Sequence, residues 1–262
     1  MSRVRSPVSR RRRTYLRLLA EWTRRDVAER FGTRPTRLVW AVLQPALAVA
    51  AYALIFGVIF AQTGGDLPYL SYLVAGVVVY RAVTGALGSV TCIADRHELL
   101  TKVAVPVEMI PMSRTLANAV DTVIVAIGLL VVAVVQGVTI SVTVVMLPVV
   151  LLVVTVFVVA VSILVSTLQV FLPGLQFVTS FLGLALFFAS PISYQPDQLP
   201  EGLRWLNVVN PISVYVEAVR DVALRSAWPR PLFYLQAALA VVFLVGSIAY
   251  LRSLRGRIVD LG

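Results

Sequence analysis

Arg81 and Asp121 fall inside two long apolar runs. A charge at that depth is costly and is kept for pairing or for function. Both lie about two turns or less from the cytoplasmic ends of their runs, so both can snorkel there. They could also pair with each other or meet a polar substrate. A proton-coupled carrier would show a chain of such groups, and this sequence does not. A second cluster, Asp95, Arg96, His97, Glu98 and Lys102, reads as a short charged helix, and Pro106 and Pro111 then end it and redirect the chain. It could dock a soluble partner or serve as a solvated connector. Other chemistries lack their residues. With one His and one Cys, neither a metal cluster nor a disulfide framework forms. No Gly-rich loop ending in Gly-Lys-Ser/Thr is present to cradle ATP phosphates, so ATP-driven work would need the ATPase on another chain. A membrane-embedded transferase would need convergent acid and base groups at the bilayer edge. Asp66, Asp197 and Glu201, expected outside, show no such motif.

The distribution of charge defines the elements that must position these residues. Apolar residues make up 59% of the 262, mean hydropathy is +0.88, and residues 122–196 contain no Asp, Glu, Lys or Arg. A spanning helix takes about 20 apolar residues, so that stretch alone holds roughly three. The runs do not alternate apolar with polar residues, which excludes barrel strands. Helices satisfy their own backbone groups in lipid. The net charge is +10, but twelve of the 23 basic residues precede Leu38 and abut the first apolar run. That is the positive-inside signal, not a nucleic-acid footprint. The first apolar run begins too late, and lacks the small-residue site, for a cleaved signal peptide. Arg10 to Arg13 would sit against anionic head groups.

Residues 1–13 read as a disordered basic tail. Residues 14–31 read as an amphipathic helix lying in the interface, with Tyr15, Leu18, Leu19 and Trp22 on one face. Six spans are predicted, at 38–61, 68–90, 115–136, 142–171, 176–190 and 231–251. Pro45 should kink the first, and Pro173-Gly174 ends the fourth. The turns 62–67 and 137–141 carry no Lys or Arg, whereas the 91–114 loop and the tail do. Both termini are therefore expected in the cytoplasm. The chain divides into a tail and interface helix (1–37), a six-span domain (38–251) and a cytoplasmic tail (252–262). Within 191–230, Asn210 caps a helix that Pro211 begins. Ile212, Tyr215, Val216, Val219 and Ala223 form its apolar face, and Ser213, Glu217, Arg220 and Asp221 its polar face. A shorter helix precedes it at 201–208. The pair could dip back into the membrane against protein or water.

Several strings, in order, resemble the permease subunit of ABC-2 type transporters, in the branch that exports polysaccharides, O-antigens and teichoic acids. They are Arg25-Asp26-Val27 with Arg30-Phe31 and Leu38 to Pro45; Leu99-Leu100-Thr101-Lys102 with Pro106, Glu108 and Pro111; Phe187 to Tyr194; and Leu206-Asn207, Asn210-Pro211-Ile212, Glu217 and Arg220. The resemblance covers about Arg24 to Leu224. It implies an all-α bacterial inner-membrane homodimer of six-span permeases, with an interface helix, a cytoplasmic coupling helix and short re-entrant gate helices. Two copies of a separate ATPase would dock below and bind ATP and magnesium, while this chain binds no cofactor. The substrate would be a lipid-linked glycan.

The resemblance also assigns residues. Asp95, Arg96, His97, Glu98, Lys102 and Glu108 would form the coupling segment. Trp22, Arg25, Asp26 and Arg30 would belong to the interface helix, and Asn210, Pro211, Glu217 and Arg220 to the outer gate. Tyr69, Tyr72, Tyr80, Tyr194, Trp205 and Tyr215 could stack on sugars in the channel or form an interfacial aromatic belt. One lysine against 22 arginines fits a GC-rich genome and favours an actinobacterial galactan exporter. An ABC-2 permease for a drug or small lipid is the alternative. Two departures stand out: Ala28 replaces a usual basic residue, and Phe171-Leu172-Pro173-Gly174 replaces a charged turn that would be a second cytoplasmic contact.

Overall fold

The computed structural model describes residues 7–32, 35–96 and 106–260. Their regular structure is helical: α1 (Pro7–Phe31), α2 (Pro35–Tyr52), α3 (Tyr69–Leu87), α4 (Cys92–Asp95), α5 (Met109–Val135), α6 (Leu147–Phe171), α7 (Leu175–Ala189), α8 (Trp205–Val209), α9 (Pro211–Ala223), α10 (Pro231–Ser253) and α11 (Arg255–Asp260). Helix α2 runs on as a π-helix, Ala53–Ile59, and α6 is entered through a 3-10 turn, Val142–Met146. Five segments are long and apolar enough to cross a bilayer: Val39–Ile59, α3, α5, Val142–Phe171 and α10. Helix α7 is apolar but has only 15 residues.

Helix α3 is the hub. It packs on α5, α6, α7 and α9, and 72% of its apolar window is covered by protein, against 6% for the first span. Small residues permit this. A Cβ on Gly76 would lie 2.9 Å from Ile192, and one on Gly85 would lie 3.2 Å from Asn118 Nδ2. The two glycines therefore let the 190–194 segment and α5 close onto the α3 backbone. The remaining spans bury one stripe each and present Val, Ile, Leu and Phe outward, as lipid contact requires.

Several boundaries differ from expectation. Helix α5 starts at Met109 rather than Thr115, with Pro111 inside its first turn instead of breaking the chain. Proline is tolerated there because first-turn N–H groups have no intrahelical partner. Residues 7–13, expected to be disordered, continue α1. The short outer helix shrinks to a 3-10 turn at Glu201–Leu203 followed by α8. Pro45 sits inside α2, and the non-α backbone lies two turns later, where Phe60 N–H donates to Ile55 O at 3.0 Å across a widened turn.

Candidate functional site

Two clusters of charge sit at opposite ends of α3. The outer one is built on α9. Asn210 caps it as predicted: its Oδ1 accepts from Ile212 N–H at 3.0 Å, and its Nδ2 donates to Ser190 Oγ at 2.9 Å and Ala189 O at 3.2 Å. Both faces of α9 are buried, so of the two settings expected for its polar face, protein or water, it takes protein. Arg220 is fully buried. Its guanidinium lies 3.4 Å from the Tyr72 ring centroid, donates to Tyr72 O (3.2 Å) and Ile192 O (3.1 Å), and pairs with Glu217 at 2.7 Å. A buried arginine needs this many acceptors, because each unmet N–H would cost a lost hydrogen bond.

Glu217 also pairs with Arg225 at 2.8 Å, and Arg225 reaches Asp66 at 3.1 Å and Asp221 at 3.2 Å. Arg230 pairs with Asp221 at 3.2 Å. Burial alone would raise the Glu217 carboxyl, but Arg220 and Arg225 outweigh it and hold the pKa below the usual range. Asp66 is likewise held low: partial burial opposes the shift, and the Arg225 hydrogen bond and charge win. The turn between the first two spans is thereby tied to α9. Gln195 Nε2 donates to Thr63 O at 3.0 Å and ties it also to the segment after α7.

The second cluster, at the other end of α3, joins α1 to the first turns of α5 and to Arg96 just past α4. Asp26 is buried and accepts from Arg96 and from Ser113 Oγ (2.7 Å). Glu29 lies 3.1 Å from Arg25 and 3.7 Å from Arg96, which also stands 5.8 Å from the Trp22 ring. Arg30 pairs with Asp121 and with Asn118 Oδ1, and Asn118 Nδ2 donates to Gly85 O at 2.8 Å. The ion-pair partner of Asp121 is thus Arg30 rather than Arg81. Close by, buried Glu108 pairs with Arg252 at 2.6 Å and joins α5 to the end of α10.

Among the residues assigned to the coupling segment, Asp95 accepts from Thr91 Oγ1 at 2.8 Å, Arg96 turns inward onto α1, and Glu108 is taken by Arg252. His97, Glu98 and Lys102 lie outside the described residues. The aromatic candidates separate into four groups. Tyr72 and Tyr215 are buried, the first with its hydroxyl on Tyr194 O at 2.7 Å, the second packed between Phe157 and Phe233. Tyr69 donates to Ser193 O at 3.2 Å, and Tyr194 is half-buried. Trp205 is exposed. Tyr80 joins an aromatic wedge between α2, α3 and α7, with ring centroids 5.2 Å (Tyr80) and 4.8 Å (Tyr52) from Phe187. Below the wedge, Tyr80, Thr84, Thr91, Gln176, Thr179 and Ser180 line a groove of about 470 Å³ between α3 and α7.

Sequence reasoning passed over Asp66, Ser113, Asn118, Arg225, Arg230 and Arg252 as site members. A signal existed for Asn118: Thr115, Asn118, Asp121 and Thr122 recur at helical spacing along an otherwise apolar span. The arginines after α9 carried none, because exposed and buried arginines look alike in a polar segment.

Residues 18–224 match the ABC-2 type transporter family. The chain is 27% identical over 245 residues to the O-antigen export system permease protein RfbA of Myxococcus xanthus, covering 92% of this chain and 94% of that protein. The protein of the same name from Klebsiella pneumoniae is 22% identical over 207 residues, 78% of this chain and 79% of its own. With its all-helical membrane fold and a family match over most of its length, the chain belongs to the ABC-2 type transporters and is a non-enzymatic, multi-pass permease subunit.

Proposed function

We propose that this chain is the permease of an ATP-driven exporter of a lipid-linked polysaccharide, an O-antigen-like or galactan-like envelope glycan. The two named relatives, both O-antigen export permeases matched over most of their length, support the substrate class. The observation that carries the mechanism is the contrast around α3. Its outer end is capped by α9, whereas the first span and α7 present apolar faces that nothing among the described residues covers. A second copy would cover those faces, and the path would open between α2 and α7, where the aromatic wedge now closes it.

In this reading both termini face the cytoplasm, and two copies of a separate ATPase bind ATP and magnesium. Closure of the ATPase pushes the 91–114 segment. That force reaches α5 through α1, because Asp26 and Arg30 hold α1 to Ser113, Asn118 and Asp121, and passes on to α3 through the Asn118–Gly85 bond. The α9 cap then yields to let the glycan leave.

Purification from native membrane with a C-terminal tag tests the reading. A stoichiometric subunit with a phosphate-binding loop, together with cytoplasmic accumulation of lipid-linked glycan when the gene is deleted, is the expected result. A chain that purifies alone, with no glycan phenotype, overturns it. Replacing Glu98 and Lys102 together tests the coupling segment: unchanged assembly and ATPase coupling would remove it from the mechanism.

A further inference from the structure

The cytoplasmic cluster holds more positive charge than its carboxylates neutralise. Arg114 lies one turn before Asn118 on α5, and Arg81 one turn before Gly85 on α3. The Asn118–Gly85 bond fixes these two helices side by side. They run in opposite directions, so Arg81 and Arg114 flank Arg30 by about 5 Å of helix rise on either side. Arg30 is pinned by Asp121 and Asn118. Neither Arg81 nor Arg114 has a carboxylate within ion-pair distance among the described residues. Asp26, Glu29, Arg30, Arg114, Ala117 and Asn118 line a cavity of about 270 Å³; Arg81 is not in its lining but is close enough to act on Arg30 and Asp121 electrostatically. The cavity's two acids are already engaged, Asp26 by Arg96 and Ser113 and Glu29 by Arg25 and Arg96. Arg81 stands six residues from the end of α3, roughly 9 Å of rise, within snorkelling reach of the inner-leaflet headgroups.

We propose that Arg30, Arg81 and Arg114 form a site for a lipid-borne phosphate or diphosphate entering from the inner leaflet. Guanidinium groups bind phosphate oxygens in bidentate pairs, and a cavity of this size takes a headgroup rather than a sugar chain. Arg30 provides the fixed centre of the site, and the two unpaired arginines provide the net attraction. On the glycan-export reading, on which the substrate source depends, the occupant is the diphosphate of the lipid-linked glycan. The other source of the same chemistry is bulk anionic phospholipid.

The test uses the full chain in nanodiscs and measures binding of a sugar-free polyprenyl diphosphate and, separately, of phosphatidylglycerol. Arg114→Gln, at an exposed position, is expected to weaken binding about tenfold, and Arg114→Lys less. Arg255→Gln removes a charge from the exposed cytoplasmic tail and is expected to change nothing. A loss specific to the diphosphate assigns the site to substrate, and an equal loss for both assigns it to leaflet lipid. Unchanged binding in Arg114→Gln and Arg81→Gln, or an equal loss in Arg255→Gln, overturns the site. Because the probe carries no glycan, a failure of the export reading leaves this outcome readable.

Discussion

The two ends of α3 use the same residue types to opposite effect. Outside, Arg220, Arg225 and Arg230 face Asp66, Glu217 and Asp221, and the charges balance. Inside, Arg25, Arg30, Arg81, Arg96 and Arg114 gather around Asp26, Glu29 and Asp121, and among the described residues they do not. The outer arginine at the centre is fully enclosed and bonded to backbone carbonyls, so it holds a fixed shape. The inner arginines are partly open and spread over α1, α3, α5 and the residue after α4, so they are not locked into one packed element. A balanced, buried cluster suits a closed cap. An unbalanced, accessible one suits a place where force or ligand arrives.

The largest expected effect comes from breaking the outer centre. Arg220→Ala leaves Glu217 with one partner fewer and removes the side-chain donor from the Tyr72 and Ile192 carbonyls, which should cost about 3–5 kcal/mol and abolish a stable cap. Thermal unfolding in nanodiscs reads it, and Arg220→Lys should recover little because a single ammonium cannot reproduce the fork. Next is Asp26→Asn, which leaves Arg96 beside a neutral side chain. About 2–3 kcal/mol and faster proteolysis of α1 are expected. If both ends tolerated these changes equally, the distinction between cap and lever would fail.

Asn210→Ala should cost about 1–2 kcal/mol through the lost cap and the lost tie to the end of α7. It should appear as faster hydrogen exchange confined to α9. Asp66→Asn should cost less than about 1 kcal/mol, because that pair is largely in water. Mild acid should do least. Glu217 and Asp66 are held low, so the stability they add is fully present above the ordinary carboxylate value of about 4 and is lost only as pH falls through their lowered values. Between pH 7 and pH 5 these two carboxyls should therefore not change ion leak through proteoliposomes, and any change should trace to Asp221, which burial pushes up.

The spans, their order and the Asn210–Pro211 start of α9 were legible because hydropathy and capping act locally. The clusters were not. Arg30 and Asp121 are 91 positions apart in sequence, and no periodicity announces that α1 lies against α5. Arg220 was read on a polar face because its neighbours Ser213, Glu217 and Asp221 are polar. Its burial depends on α3 passing close enough for Tyr72 to receive it. Pro111 misled because a proline reads as a break unless the helix start is already known. Tyr72 and Tyr215 were read as channel-lining or belt aromatics, and their burial was not legible because interfacial tyrosines and packed ones share a composition.

The shortness of α7 has a consequence for the membrane itself. Fifteen residues rise about 22 Å, whereas the hydrocarbon layer is about 30 Å thick. Lipids beside this helix must dimple inward to meet it. The indentation falls next to the groove lined by Thr84, Thr91, Gln176, Thr179 and Ser180. Until a second copy covers that flank, lipid there forms a thinner oil barrier than beside the full-length spans.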